Sequence, residues 1–318
     1  MKYFTFPIAL AFALQTSVAS TSSLMQKRFN TYEELPSALS PSPSTHRSHG
    51  DLTDGNGPSS FNISATSSWA GAKIDMPRGS PNQTDLPAIG SVTAQWNIPR
   101  LCLREGQNIS GAGTLQTWIG ISGKGCEPKG AMIQAGIKAV LRDDGSTDTS
   151  AWVSWYPAIS YMSIIDFDVR PGDVVTVVLM VSNTTNGSVQ ITNRRNNQLA
   201  TQTVYSPDPS VGDFSICGDG DGRAWAVVEG AFTWERDPPD TATDMDGIPV
   251  FEDVSFRTLE VNALGRREAR GLHDDSAVLY IIADDQDVAV NVDTLGDNGF
   301  QLYTSKTCAE DTGDARDM

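Results

Sequence analysis

From residue 91 onward, apolar positions come in short runs broken by turn residues, without a sustained helical period. Candidate strands cover 92–98, 116–122, 131–134, 151–156, 173–181, 188–192 and 200–205, then 224–233, 249–257, 276–283, 287–292 and 300–305. Lys124-Gly125, Asp144-Gly145, Pro171-Gly172, Asn186-Gly187 and Asn298-Gly299 separate several of them with turn chemistry. Enrichment in Val, Thr, Trp and Tyr at this spacing predicts an all-β fold. The expected form is an antiparallel β-sandwich of the jelly-roll or concanavalin-like kind. The polar stretch 265–271 reads as a loop or a single helical turn.

Two of these apolar runs carry a polar residue: Gln134 within Ala131–Gly136 and Glu229 within Ala224–Gly230. An unpaired polar group on a buried strand is costly. A strand glutamine often serves as a hydrogen-bonded linker, and a strand glutamate as an exposed edge residue. A catalytic pair is the alternative, one group activating water and the other stabilising an oxyanion.

The N-terminal end departs from the β pattern. Lys2 followed by an apolar stretch through Leu14, with small residues at Ser17 and Ala19, predicts a secretory signal peptide over 1–19. Residues 20–60 are rich in Ser, Thr, Pro and Gly, and read as a pro-segment or disordered linker, with Lys27-Arg28 as a candidate processing site. Residues 61–318 are long enough for one large domain.

Charge narrows the partners. Residues 1–60 hold four basic residues (Lys2, Lys27, Arg28, Arg47) and four acidic ones (Glu33, Glu34, Asp51, Asp54), so the net charge of −16 falls on 61–318. That argues against nucleic acid and anionic membranes, and suits a secreted, extracellular, monomeric protein working in acid. Sequons at Asn62, Asn82, Asn108, Asn183 and Asn186 fit glycosylation after export. The four cysteines, Cys102, Cys126, Cys217 and Cys308, allow three pairings in an oxidising compartment and lack the CxxC spacing of zinc sites.

Familiar hydrolytic chemistries find little support. Of the three histidines, His46 and His49 lie in the N-terminal segment and His273 in a charged loop, which leaves no triad. Asp311-Thr312-Gly313 sits in a polar tail without a matching second loop, so a paired-aspartate peptidase does not fit. A jelly-roll glycosidase would need two facing carboxyls, for which Glu229, Glu252 and Asp253 are the strand-borne candidates. A carbohydrate-binding protein would use some of the seven tryptophans as stacking platforms, although tryptophan in a sandwich is commonly core.

Several segments in order resemble the eqolisin family, the secreted glutamic peptidases of filamentous fungi. They are Ser68–Ala72, Val92–Pro99, Trp118–Gly123, Ile133–Gly136, Trp152–Pro157 and Val227–Glu229, over about residues 65–305. The resemblance implies two long curved antiparallel sheets and acid endopeptidase activity on protein or peptide substrates. It implies a dyad at Gln134 and Glu229, substrate contacts from Trp69 and Trp118, and a Cys126–Cys217 disulfide that leaves Cys102 and Cys308 as the remaining pair. In that scheme Glu229 takes a proton from water and later returns it to the leaving amine, while the Gln134 amide donates to the oxyanion. No metal or cofactor is required.

The chain departs from the family pattern at Ser122, Ser154 and Gly230, where acidic residues are usual. Nearby like charges raise a carboxyl pKa. Their loss predicts that Glu229 stays ionised to lower pH, provided its desolvation is unchanged.

Overall fold

The computed structural model describes residues 62–66, 69–77, 87–102, 113–123, 131–207, 215–216, 221–230, 248–265, 268–283, 288–304 and 308. The expected signal peptide and pro-segment, Cys126, Cys217, Asn82 and Asn108 lie outside them. Every regular element among the described residues is a strand. In chain order they are β1 (Asn62–Thr66), β2 (Trp69–Met76), β3 (Ile89–Asn97), β4 (Leu101–Cys102), β5 (Thr114–Gly123), β6 (Met132–Leu141), β7 (Thr147–Tyr156), β8 (Ile159–Ser163) and β9 (Val174–Asn183). The second half supplies β10 (Asn186–Asn193), β11 (Gln198–Tyr205), β12 (Gly222–Gly230), β13 (Val250–Phe251), β14 (Val254–Ala263), β15 (Ala269–Arg270), β16 (Ala277–Ala283), β17 (Val288–Thr294) and β18 (Phe300–Thr304).

The hydrogen-bonded path runs β11-β10-β9-β3-β14-β18-β17-β16-β2-β12-β5-β6-β7-β8, with β1 on β16 and β15 on β14. Its neighbours are antiparallel except β1 with β16. The path folds back on itself: β3 packs over β5 and β12, β9 over β5 and β6, and β11 over β7. The predicted sandwich is therefore observed, with its two layers continuous through β17 and β16. Cys102 and Cys308 form a disulfide with Cα atoms 5.7 Å apart. The stretch expected as a loop at 265–271 contributes the short strand β15.

Strand parity fixes which face each residue takes. On β6, Ile133, Ala135, Ile137, Ala139 and Leu141 enter the core between the layers, while Met132, Gln134, Lys138 and Val140 turn the other way. On β12 the core takes Ala224, Ala226 and Val228, leaving Arg223, Trp225, Val227 and Glu229 on the opposite face. Trp96 of β3 is fully buried between the layers; its indole N–H donates to Thr117 Oγ1 at 2.9 Å, and its ring packs on Phe256 at 5.2 Å. A large aromatic and a satisfied polar pair thus lock β3 against β5.

Candidate active site

The outer face of β2-β12-β5-β6-β7 is laid out in rows by the ladder register. One row reads Trp69, Glu229, Gln116, Lys138, Ser150. The next reads Gly71, Val227, Trp118, Gly136, Trp152. A third reads Lys73, Trp225, Gly120, Gln134, Ser154, and a fourth Asp75, Arg223, Ser122, Met132, Tyr156. Gln134 and Glu229 accordingly share this face.

Trp118, Trp152 and Val227 form a small apolar cluster there, separate from the main core, with Trp69, Met132 and Trp225 packed around it. Glycine makes room for it. A methyl group on Gly136 would lie 2.6 Å from Trp118 Cβ and 2.1 Å from the Thr117 carbonyl oxygen. One on Gly120 would lie 2.9 Å from the Trp118 ring and 3.2 Å from Met132 Sδ. The indole of Trp118 therefore lies along β5 with its benzo edge over Gly120.

Its other edge holds the carboxyl. Trp118 Nε1 donates to Glu229 Oε2 at 3.0 Å. Burial against the aromatic cluster pushes the Glu229 carboxyl up from 4.5 to about 7, and the Trp118 hydrogen bond opposes that rise. Gln134 Nε2 points to Met132 Sδ at 3.2 Å. A thioether is a weak acceptor, so this contact leaves the amide free to turn at little cost. Trp152 is 2% exposed, and its Nε1 is a buried donor with no hydrogen-bond partner among the described residues.

Gln134 and Glu229 do not touch. They stand two strands apart and four residues out of register, which on a flat sheet is roughly 10 Å across and 13 Å along. The indole of Trp118 lies between them.

The sequence matches the Peptidase A4 family over residues 67–302, more than half of the chain. The chain belongs to the Peptidase A4 family, the eqolisins. Aspergillopepsin-2 of Aspergillus niger is 33% identical over 86 residues, a stretch spanning 27% of this chain and 29% of that protein. Scytalido-glutamic peptidase, solved with a peptide-based transition-state analogue, superposes with a TM-score of 0.56 at 19% identity. The superposition covers 75% of this chain and 98% of that one. SCP-B, an eqolisin solved with the tripeptide Ala-Ile-His, gives 0.54 at 19% identity over the same shares. At that identity the superpositions speak for the fold.

Within this eqolisin framework the three departures take definite places. Ser122 accepts a hydrogen bond from Trp225 Nε1 at 3.0 Å and lies in the fourth row, far along β5 from Glu229. Ser154 is fully buried opposite Gln134 and donates to the Ile159 carbonyl at 2.7 Å. Gly230 is buried on the parity opposite Glu229, paired with Leu115. No carboxyl contributes to the shift of Glu229, as the absence of acids at these three positions requires; desolvation sets it, and its direction is upward.

Trp69 is half-buried beside Glu229 in register and packs on Trp225 at 5.5 Å and Tyr280 at 4.5 Å. Trp118 is 5% exposed with its N–H committed to Glu229. Sequence reasoning singled out neither Trp152 nor Lys138 as a site residue. Counting two residues at a time from Gln134 reaches Lys138, and the ladder then reaches Trp152 through Gly136. Asn62 is exposed, while Asn183 and Asn186 lie at the β9–β10 turn, where Asn183 Oδ1 accepts from the Thr185 and Asn186 backbone N–H groups.

Proposed function

We propose that this eqolisin is an exported endopeptidase that hydrolyses protein peptide bonds with Glu229 as general base then acid, and Gln134 as oxyanion donor. The observation that carries it is Glu229 itself, a carboxyl on an apolar aromatic floor, with a pKa of about 7 and a single N–H holding it. Such a group is half ionised near neutral pH and suited to both taking and giving a proton.

Both side chains stand on the same face of the sheet with Trp118 between them, and the substrate carbonyl and the attacking water would lie over that ring. Glu229 would polarise the water, the water oxygen would attack the carbonyl carbon, and Gln134 Nε2 would donate to the developing oxyanion. Protonated Glu229 would then protonate the amine as the C–N bond breaks. Residues 1–19 and the Cys102–Cys308 disulfide support export.

Digestion of a denatured protein by the secreted full-length chain, beside its Glu229→Gln variant and a polysaccharide substrate, tests this reading. Proteolysis lost in the variant is expected. Sugar release without proteolysis would favour the glycosidase, and polysaccharide binding without turnover a carbohydrate-binding protein.

A further inference from the structure

The row that holds Glu229 also holds a cation. Lys138 lies two strands from Glu229 with only Gln116 between them, roughly 10 Å on one face. It borders an open cavity of about 430 Å³ at the end of β6 and β7, lined also by Tyr161 of β8 and the 168–171 loop.

The other charges of this cavity are already matched. Arg142 Nε donates to Asp148 at 2.6 Å. Asp168 accepts from Arg195 at 3.0 Å and from Arg170 at 3.2 Å, contacts that hold its carboxyl below the usual range, Arg195 contributing most. Arg195 also binds buried Asp173 at 2.6 Å, which ties the loop to the β10–β11 turn. Lys138 alone has no carboxylate partner among the described residues. Its Nζ stands over the Tyr161 ring, 5.6 Å from the centroid, and the Tyr161 hydroxyl meets Ser150 Oγ at 3.1 Å.

The geometry points to a carboxylate-binding subsite at Lys138, Ser150 and Tyr161, which takes an acidic side chain or the terminal carboxylate of a peptide lying across Glu229. This assignment rests on the peptidase reading for the path of the peptide, but its contacts stand on this cavity. An ammonium with no carboxylate partner beside the Ser150–Tyr161 hydroxyl pair suits a carboxylate: the charge attracts it, and the hydroxyl that does not donate to the other supplies a donor. The same cation would repel a lysine or arginine at that substrate position, which adds selectivity beyond attraction.

The test is a binding titration that does not depend on turnover. Full-length Glu229→Gln protein is titrated, by tryptophan fluorescence or calorimetry, with matched peptides. One series carries a single Glu or Gln walked along the sequence; the other carries a free or an amidated C-terminus. The expected result is about fivefold tighter binding of the carboxylate member in one series, at one position. Lys138→Ala abolishes the difference and Lys138→Glu reverses it, while the neutral peptides are unchanged. The series that responds tells side chain from terminus. Equal affinities within every pair, or a preference that survives Lys138→Glu, would overturn the subsite. Failure of the wild type to cleave any of these peptides would instead count against the peptidase reading.

Discussion

Trp118 Nε1 donates to Glu229 Oε2 at 3.0 Å from a ring that is itself held over Gly120 and beside Gly136. This contact joins the aromatic floor to the carboxyl. It is also the one interaction that favours the ionised form against desolvation. Removing the N–H while keeping the ring isolates it. In Trp118→Phe the Glu229 pKa rises further, by about one unit given the strength of a hydrogen bond to a charged group. The acid limb of kcat/KM, near pH 7 in the wild type, then moves up by the same amount, which a pH–rate profile measures.

Glu229 makes the fold pH-sensitive. Its carboxyl binds the proton more tightly in the folded protein, about 7 against 4.5. Its contribution to stability is full below about 4.5 and is lost as pH rises through about 7. Glu229→Gln removes that loss. The variant is expected to match the wild type at pH 4 and to exceed it at pH 8, by up to roughly 3 kcal/mol. Urea unfolding at the two pH values reads the difference.

Ser154 is fully buried, three strands and two rows from Glu229, so a carboxyl placed there acts on packing before it acts on the dyad. Ser154→Glu is expected to cost about 2 kcal/mol or more, because it buries a charge and removes the bond to the Ile159 carbonyl. Desolvation at this buried position holds the new carboxyl largely protonated, so it places little charge on Glu229. The acid limb therefore stays within about 0.3 units of the wild type, measured in the same pH profile.

Gly136→Ala drives a methyl into Trp118 Cβ and the Thr117 carbonyl. Overpacking of this kind costs typically about 1–3 kcal/mol. The displaced indole also releases Glu229, so melting temperature and kcat/KM fall together. A variant that loses stability but keeps its acid limb would show that the Trp118 ring is not what desolvates Glu229.

The two-layer fold was legible because the core faces of β9, and of β3 from Val92 onward, alternate cleanly, and β14 keeps the alternation on either side of a bulge at Arg257. The candidate site was legible in its residue types but not in its faces. On β5, β7 and β12 the outer face is apolar too, with Trp118, Trp152 and Val227, so Glu229 sits in a run with no polar alternation to reveal its side. The strand expected at 131–134 runs on to Leu141 for the same reason. Gly136 reads as a strand end, yet it is the space Trp118 fills, and the strand continues past it to the outward-facing Lys138. β2 was noticed only as a family segment, since its glycine and alanines carry little strand signal. The pKa of Glu229 was not legible, because desolvation depends on which rings surround it.

The most direct measurement is kcat/KM for one peptide near pH 7 in the wild type, Glu229→Gln, Gln134→Ala and the double variant. The account predicts a loss of about 10³-fold or more for Glu229→Gln and about 10²–10³-fold for Gln134→Ala. The double variant falls little below Glu229→Gln alone, because the two act as a unit. Either single variant remaining within a few-fold of the wild type, while folded, would contradict the assignment of this pair.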